Sequence, residues 1–201
     1  MLSTTLFGLF AMAVADHTQA ENWVFSGILL VILLTAVYSL DPDHPQGRWW
    51  IALGLSAAVA QVTTFFVLPP RLRIILGFVV IIFFGLLTVR MMMQIARSKR
   101  VNLHVILGAI SVYLLVGMSA GLVFIAVESF NPEALYFAYT GDPNLHDFFY
   151  YSFVTMSTLG YGDVTPKAPV AQFLAYTLSL VGQVYMTVLV AFLVGKFISK
   201  Q

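Results

Sequence analysis

Six consecutive residues carry the chemistry of this chain: Thr158, Leu159, Gly160, Tyr161, Gly162 and Asp163, within "TMSTLGYGDVTP" at 155–166. Two glycines bracket a tyrosine, a threonine leads and an aspartate closes. Glycine adopts positive φ at little cost. With glycines at 160 and 162, alternate residues can turn left-handed, and successive peptide planes can then aim their carbonyls to one side. A line of carbonyl oxygens, with the Thr158 hydroxyl at one end, is a path for a dehydrated cation. Tyr161 would point away from that path, into the aromatic surroundings of Phe148, Phe149, Tyr150 and Tyr151.

Such a loop has to be held at a fixed width, and the rest of the chain says where. The protein has 201 residues, 60% of them hydrophobic and only 9% charged. Soluble domains run near 25% charged, so this is the composition of a membrane protein. The net charge of +1 gives no electrostatic case for nucleic acid. The absence of cysteine excludes disulfides, Cys-ligated metal centres and a cysteine nucleophile.

A spanning helix needs about 20 mostly apolar residues. Candidates lie at 22–40, 49–68, 72–94, 103–127 and 168–198. A shorter apolar stretch, 2–15, is read as a first span, with a cleaved signal peptide as the alternative. The expected fold is an all-α membrane protein of six (alternatively five) transmembrane helices. With the N-terminus inside, seven Lys and Arg side chains (Arg48, Arg90, Arg97, Lys99, Arg100, Lys196, Lys200) face the cytoplasm and three (Arg71, Arg73, Lys167) face out. That bias fits the positive-inside rule. It puts 128–167 outside, and the basic loop 97–104 and the C-terminus in the cytoplasm of a cell with this protein in its plasma or inner membrane. The same basic loop divides a four-helix region, 1–100, from a region 101–201 around the signature.

"LHDFFYYSFVTMS", 145–157, reads as a helix too short to span, with Asp142, Asn144 and Asp147 available to cap its start. It must enter the membrane and turn back. Irregular backbone at that depth is tolerated only where it is buried in protein or lines a water-filled path. One loop cannot surround an ion, whereas four around an axis can, which calls for a closed homotetramer.

"TLGYGD" closely resembles the signature of the pore-loop potassium channels, with Leu159 in place of the usual valine. By average residue usage the chance occurrence is roughly 10⁻⁷–10⁻⁶ per start position. The resemblance covers about 103–198, which looks like the outer helix, pore helix, filter and inner helix of that family, and 179–197 is similar to the inner helix of small prokaryotic members. It implies K⁺ coordination by the backbone carbonyls of Thr158, Leu159, Gly160 and Tyr161, with Gly162 completing the turn and Asp163 closing the outer end. It implies no cofactor beyond K⁺ ions in the filter, and passive conduction by a homotetramer in the lipid bilayer. It also implies a gating hinge at Gly182, for which close helix packing is the competing reading. Gln183, Met186 and Val190 follow as a stripe that could line a cavity below the filter. Some relatives carry a carboxylate four residues before the signature threonine. Here that position is Val154, so no carboxylate-to-aspartate brace is expected. The closest rival reading is a cation channel without selectivity.

Residues 74–89 contain no charge, so the fourth span lacks the arginine ladder of a voltage sensor. With the chain ending at 201, control is expected from pH, lipid, tension, ions in the filter or a separate regulatory subunit. His146, at the entrance of the short helix, is the histidine to test for external pH sensing. Acids outnumber bases in 128–167, which would concentrate cations at an outer mouth. "GMSAG", 117–121, matches a hydrolase elbow but sits inside an apolar span and reads as a G-x-x-x-G packing face. No histidine follows His146 to serve a serine, and no enzyme is expected.

Overall fold

The computed structural model describes residues 27, 30–32, 47–63, 70–98, 103–140 and 143–198. The expected spans at 2–15 and 22–40 lie largely outside them. The chain forms two compact units, 1–87 and 88–201.

In the first unit, α1 spans Gly47–Thr63 and α2 begins at Pro70, where a proline suits the first turn, and continues to Ala96 in the second unit. Ile75, Ile82 and Val89 project from α2 into the surroundings, while Phe83, Phe84 and Leu87 are buried.

The second unit contains α3 (Leu103–Phe130), β1 (Leu135–Phe137), α4 (Leu145–Met156), β2 (Val164–Pro166) and α5 (Pro169–Ile198). Among the described residues, three helical stretches are long and apolar enough to cross a membrane: Ile75–Ile95, Val105–Phe130 and Pro169–Phe192. The protein is a multi-pass membrane protein, and α4 is the short helix between two long ones. Its start is fixed by a capping box. The Asn144 side chain accepts from the Asp147 amide, and the Asp147 carboxylate accepts from the Asn144 amide.

Small residues seat α4 on α3. A Cβ at Gly117 would collide with the Phe153 ring, and one at Gly121 would lie 2.7 Å from Phe149. Ser152, fully buried, donates to the Gly117 carbonyl at 2.6 Å. The G-x-x-x-G face of α3 is therefore the bed of the short helix. Ser119 donates back to Leu115 O at 2.7 Å within its own helix.

Above this bed lies a core of Phe124, Leu135, Phe137, Phe148, Tyr151 and Val164. Phe124 meets Tyr151 edge-on at 4.8 Å, and Phe137 meets Phe148 edge-on at 5.4 Å. Both strands of the hairpin feed this core. They pair antiparallel, Leu135 with Pro166, Tyr136 with Thr165 and Phe137 with Val164. Pro166 falls at the strand end, where its missing N–H costs least.

Candidate functional site: the loop between α4 and β2

The helix α4 ends at Met156, and the signature follows within two residues. The amides just past the helix fold back onto its last turn. Thr158 N donates to Thr155 O at 3.0 Å, and Leu159 N and Gly160 N donate to Val154 O at 3.0 and 3.4 Å. Val154 offers no carboxylate, but its backbone carbonyl takes two amides of the loop. The partially negative end of α4 thus abuts the inner end of the signature.

From there the backbone alternates. Thr158, Gly160 and Gly162 have φ of 60°, 58° and 81°, while Leu159 and Tyr161 between them keep negative φ. The glycines allow this at 160 and 162. At Thr158 a side chain occupies the left-handed region, a strain of roughly 1–2 kcal/mol that its surroundings must hold. Residue type did not mark this third position, because threonine, unlike glycine, does not announce positive φ.

The outer end is fixed through Asp163. Its carbonyl accepts from Ala138 N at 2.9 Å, which extends the hairpin ladder to the last residue of the signature. Its carboxylate accepts from the Tyr150 hydroxyl at 2.5 Å and from Val164 N at 3.1 Å. Tyr150 is the bracing residue that sequence reasoning missed, a donor from the middle of α4 to the far end of the loop.

Tyr161 differs from expectation. Tyr150 stacks on it, 6.5 Å between centroids and 10° between planes. Phe148 and Tyr151 instead enter the core of the unit, and Phe149 packs on Gly121. Burial in that core removes more apolar area from water than a contact with the loop would. Tyr161 is left 65% exposed and Leu159 55% exposed.

His146 stacks on Tyr150 at 6.5 Å, extending the column of rings toward the start of α4. Two further outer acids are engaged by backbone. Glu128, near the end of α3, accepts from Glu133 N at 2.8 Å and Leu135 N at 3.0 Å, holding the turn into β1. Asp147 caps α4 and also accepts from the Tyr139 hydroxyl at 3.0 Å. Burial, then that hydrogen bond, pushes the Tyr139 phenol well above its usual range. Lys167 lies over the Tyr136 ring at 4.3 Å.

On α5, Gly182 is buried with the Met156 carbonyl directly against it, and an added Cβ would also lie 2.7 Å from Met156 Cγ. At Gly182, α5 thus lies directly against the end of α4. The next residue, Gln183, donates from Nε2 to Thr158 Oγ1 at 3.3 Å. Met186 and Val190, one and two turns on, are exposed. Tyr185 donates to Ala109 O at 2.7 Å and ties the same stretch of α5 to α3. Among the described residues no cluster of His, Cys, Asp or Glu could hold a metal ion.

Two long apolar helices thus flank a short helix and a braced glycine loop. Residues 110–199 match the family model described as Ion channel, and the match supports a pore-loop channel family for this region. Comparison with curated proteins finds no match, and neither does comparison with solved structures.

Proposed function

We propose that this chain is the subunit of a potassium-selective channel, passing K⁺ passively through a pore built from four copies. The observation that carries the reading is the alternation of φ at Thr158, Gly160 and Gly162 within "TLGYGD". A backbone that alternates in this way can turn the carbonyls of Thr158, Leu159, Gly160 and Tyr161 to one side, where they replace the water around a dehydrated ion. Gly162 completes the turn, and Asp163, held by Tyr150 and the hairpin, closes the outer end.

Support for the four-fold assembly comes from what a single copy leaves bare. Leu159 and Tyr161 flank the loop largely exposed, and α5 presents Phe173, Tyr176, Leu180, Val184 and Val188 in the same state. A closed ring would cover these surfaces with the neighbouring copies. In that ring α4 enters from the outside as a re-entrant helix and points its negative end at a central cavity. Gln183, Met186 and Val190 are the candidates to line that cavity, and Gly182 is the candidate hinge. The orientation is the one the basic residues favour: signature outside, loop 97–104 and C-terminus in the cytoplasm, in the plasma or inner membrane.

The test is the reversal potential of purified protein in planar bilayers, with K⁺ on one side and Na⁺ on the other. The expected value lies near the K⁺ equilibrium potential. A current that reverses near zero would replace this reading with a non-selective cation pore.

A further inference from the structure

Thr158 presents two facts together. Its backbone sits in the left-handed region at φ 60°, and its hydroxyl accepts a hydrogen bond from Gln183 Nε2 at 3.3 Å. Gln183 lies on a spanning helix, and its side chain reaches the signature. Its backbone is placed by its neighbour, since Gly182 lies against the Met156 carbonyl with no room for a Cβ. One helical turn on, Thr187 Oγ1 donates to Gln183 O at 2.8 Å. The amide therefore extends from a fixed point of α5 to the innermost oxygen of the loop.

We propose that Gln183 is a positioning residue for the innermost cation site, holding the Thr158 hydroxyl in the orientation that an ion requires. This rests on the reading of Thr158 to Tyr161 as a cation path. A threonine hydroxyl can leave its position by a change of χ1 rotamer, and a ligand fixed before the ion arrives binds it more tightly than one ordered on arrival. The amide supplies that fixing from α5 itself. A displacement of α5 at Gly182 would move the oxygen and leave the outer carbonyls, braced by Val154 and Asp163, in place. Gln183 thus sets the affinity of one site in a row, and the innermost site is the one that an ion from the cavity meets first.

The experiment uses the full-length channel in planar bilayers, with Ba²⁺ added from the cytoplasmic side as the probe. Ba²⁺ is close to K⁺ in size and carries twice the charge, so its block reports on a tight site at the inner end. The variant Gln183→Met keeps length and removes the amide. Its Ba²⁺ block is expected to be about tenfold weaker than wild type, equivalent to about 1.4 kcal/mol shared by four hydroxyls. In a Thr158→Val background the same substitution is expected to have no further effect, because the oxygen it acts through is gone. Unchanged block in Gln183→Met, or equal losses in both backgrounds, overturns the proposal. Gln183→Asn, which keeps the amide but falls short of Thr158, is the second variant. It is expected to lose block as Gln183→Met does, and a wild-type value would overturn the proposal. The wild-type reversal potential, measured in the same bilayers, separates the two ideas. If wild type fails to select K⁺ the channel reading fails, whereas if wild type selects and the variants block normally only the role of Gln183 fails.

Discussion

Gly182→Ala separates two roles for one glycine. As a hinge, Gly182 would matter through its flexibility, and alanine would stabilise the helix while altering gating. As a seat, it would matter through the space it leaves, and alanine would damage packing. An added Cβ would overlap the Met156 carbonyl and come within 2.7 Å of Cγ and 3.1 Å of C of the same residue. The side chain can swing aside, but the carbonyl belongs to the last turn of α4 and moves only with the loop attached to it. Overpacking of this kind costs about 1–3 kcal/mol. Replacing glycine by alanine inside a helix returns about 1 kcal/mol. Gly195 is the control, on the same helix with nothing within 4 Å of an added Cβ. The helix term cancels between Gly182→Ala and Gly195→Ala, so their difference isolates the clash at about 1–3 kcal/mol. For a chain of this size a difference near 2 kcal/mol separates thermal midpoints by about 4–8 °C. The assay is thermal unfolding of the purified protein in detergent. A Gly182→Ala midpoint at or above that of Gly195→Ala would refute the packing argument and return the position to the hinge.

Three further substitutions test the outer framework. Glu128→Gln leaves one acceptor oxygen for the two amides of Glu133 and Leu135, and is expected to cost about 1–2 kcal/mol, seen as faster hydrogen exchange at Leu135. Tyr150→Phe keeps the ring stack but removes the donor to Asp163, and a loss near 1 kcal/mol should shorten open bursts of the channel about fivefold. The phenol of Tyr139 is raised in the folded protein, so its stabilising contribution is complete below the ordinary tyrosine pKa near 10 and fades as pH climbs toward the folded value. Alkaline unfolding of the outer loop, followed by phenolate absorbance, should therefore begin above pH ~10 and lose that component in Tyr139→Phe.

Much of the site could be read from residue types, because its rules are local. The span expected at 103–127 corresponds to α3 at Leu103–Phe130, and 168–198 to α5 at Pro169–Ile198, since a long apolar run has few other structures open to it. The short helix expected at 145–157 is Leu145–Met156, because Asn144 and Asp147 form a recognisable cap. The G-x-x-x-G face on α3 was legible as a packing surface, though not what packs there. The hairpin was not legible. Its strands have three residues each, too few for alternation to show, and its partners are joined by pairing across the whole of α4 and the signature. The role of Tyr150 was hidden for the same reason, as nothing in a run of aromatics tells which hydroxyl will meet a carboxylate 13 residues on. Glu128 could be counted as a charge at a mouth, but not recognised as the acceptor for two backbone amides.

The pairing of Phe137 with Val164, 27 positions apart (164 − 137), closes a loop that contains α4 and the entire signature. Most of the entropy of organising that loop is therefore lost within a single chain, through contacts the chain makes with itself. In the proposed ring, each copy would arrive with its quarter of the ion path already bent to shape. Subunit encounter would then select among finished parts, and the dependence of assembly on protein concentration would reflect the docking of α5 faces, with little contribution from folding of the loop. The short hairpin would thereby make pore formation a matter of association between prepared surfaces.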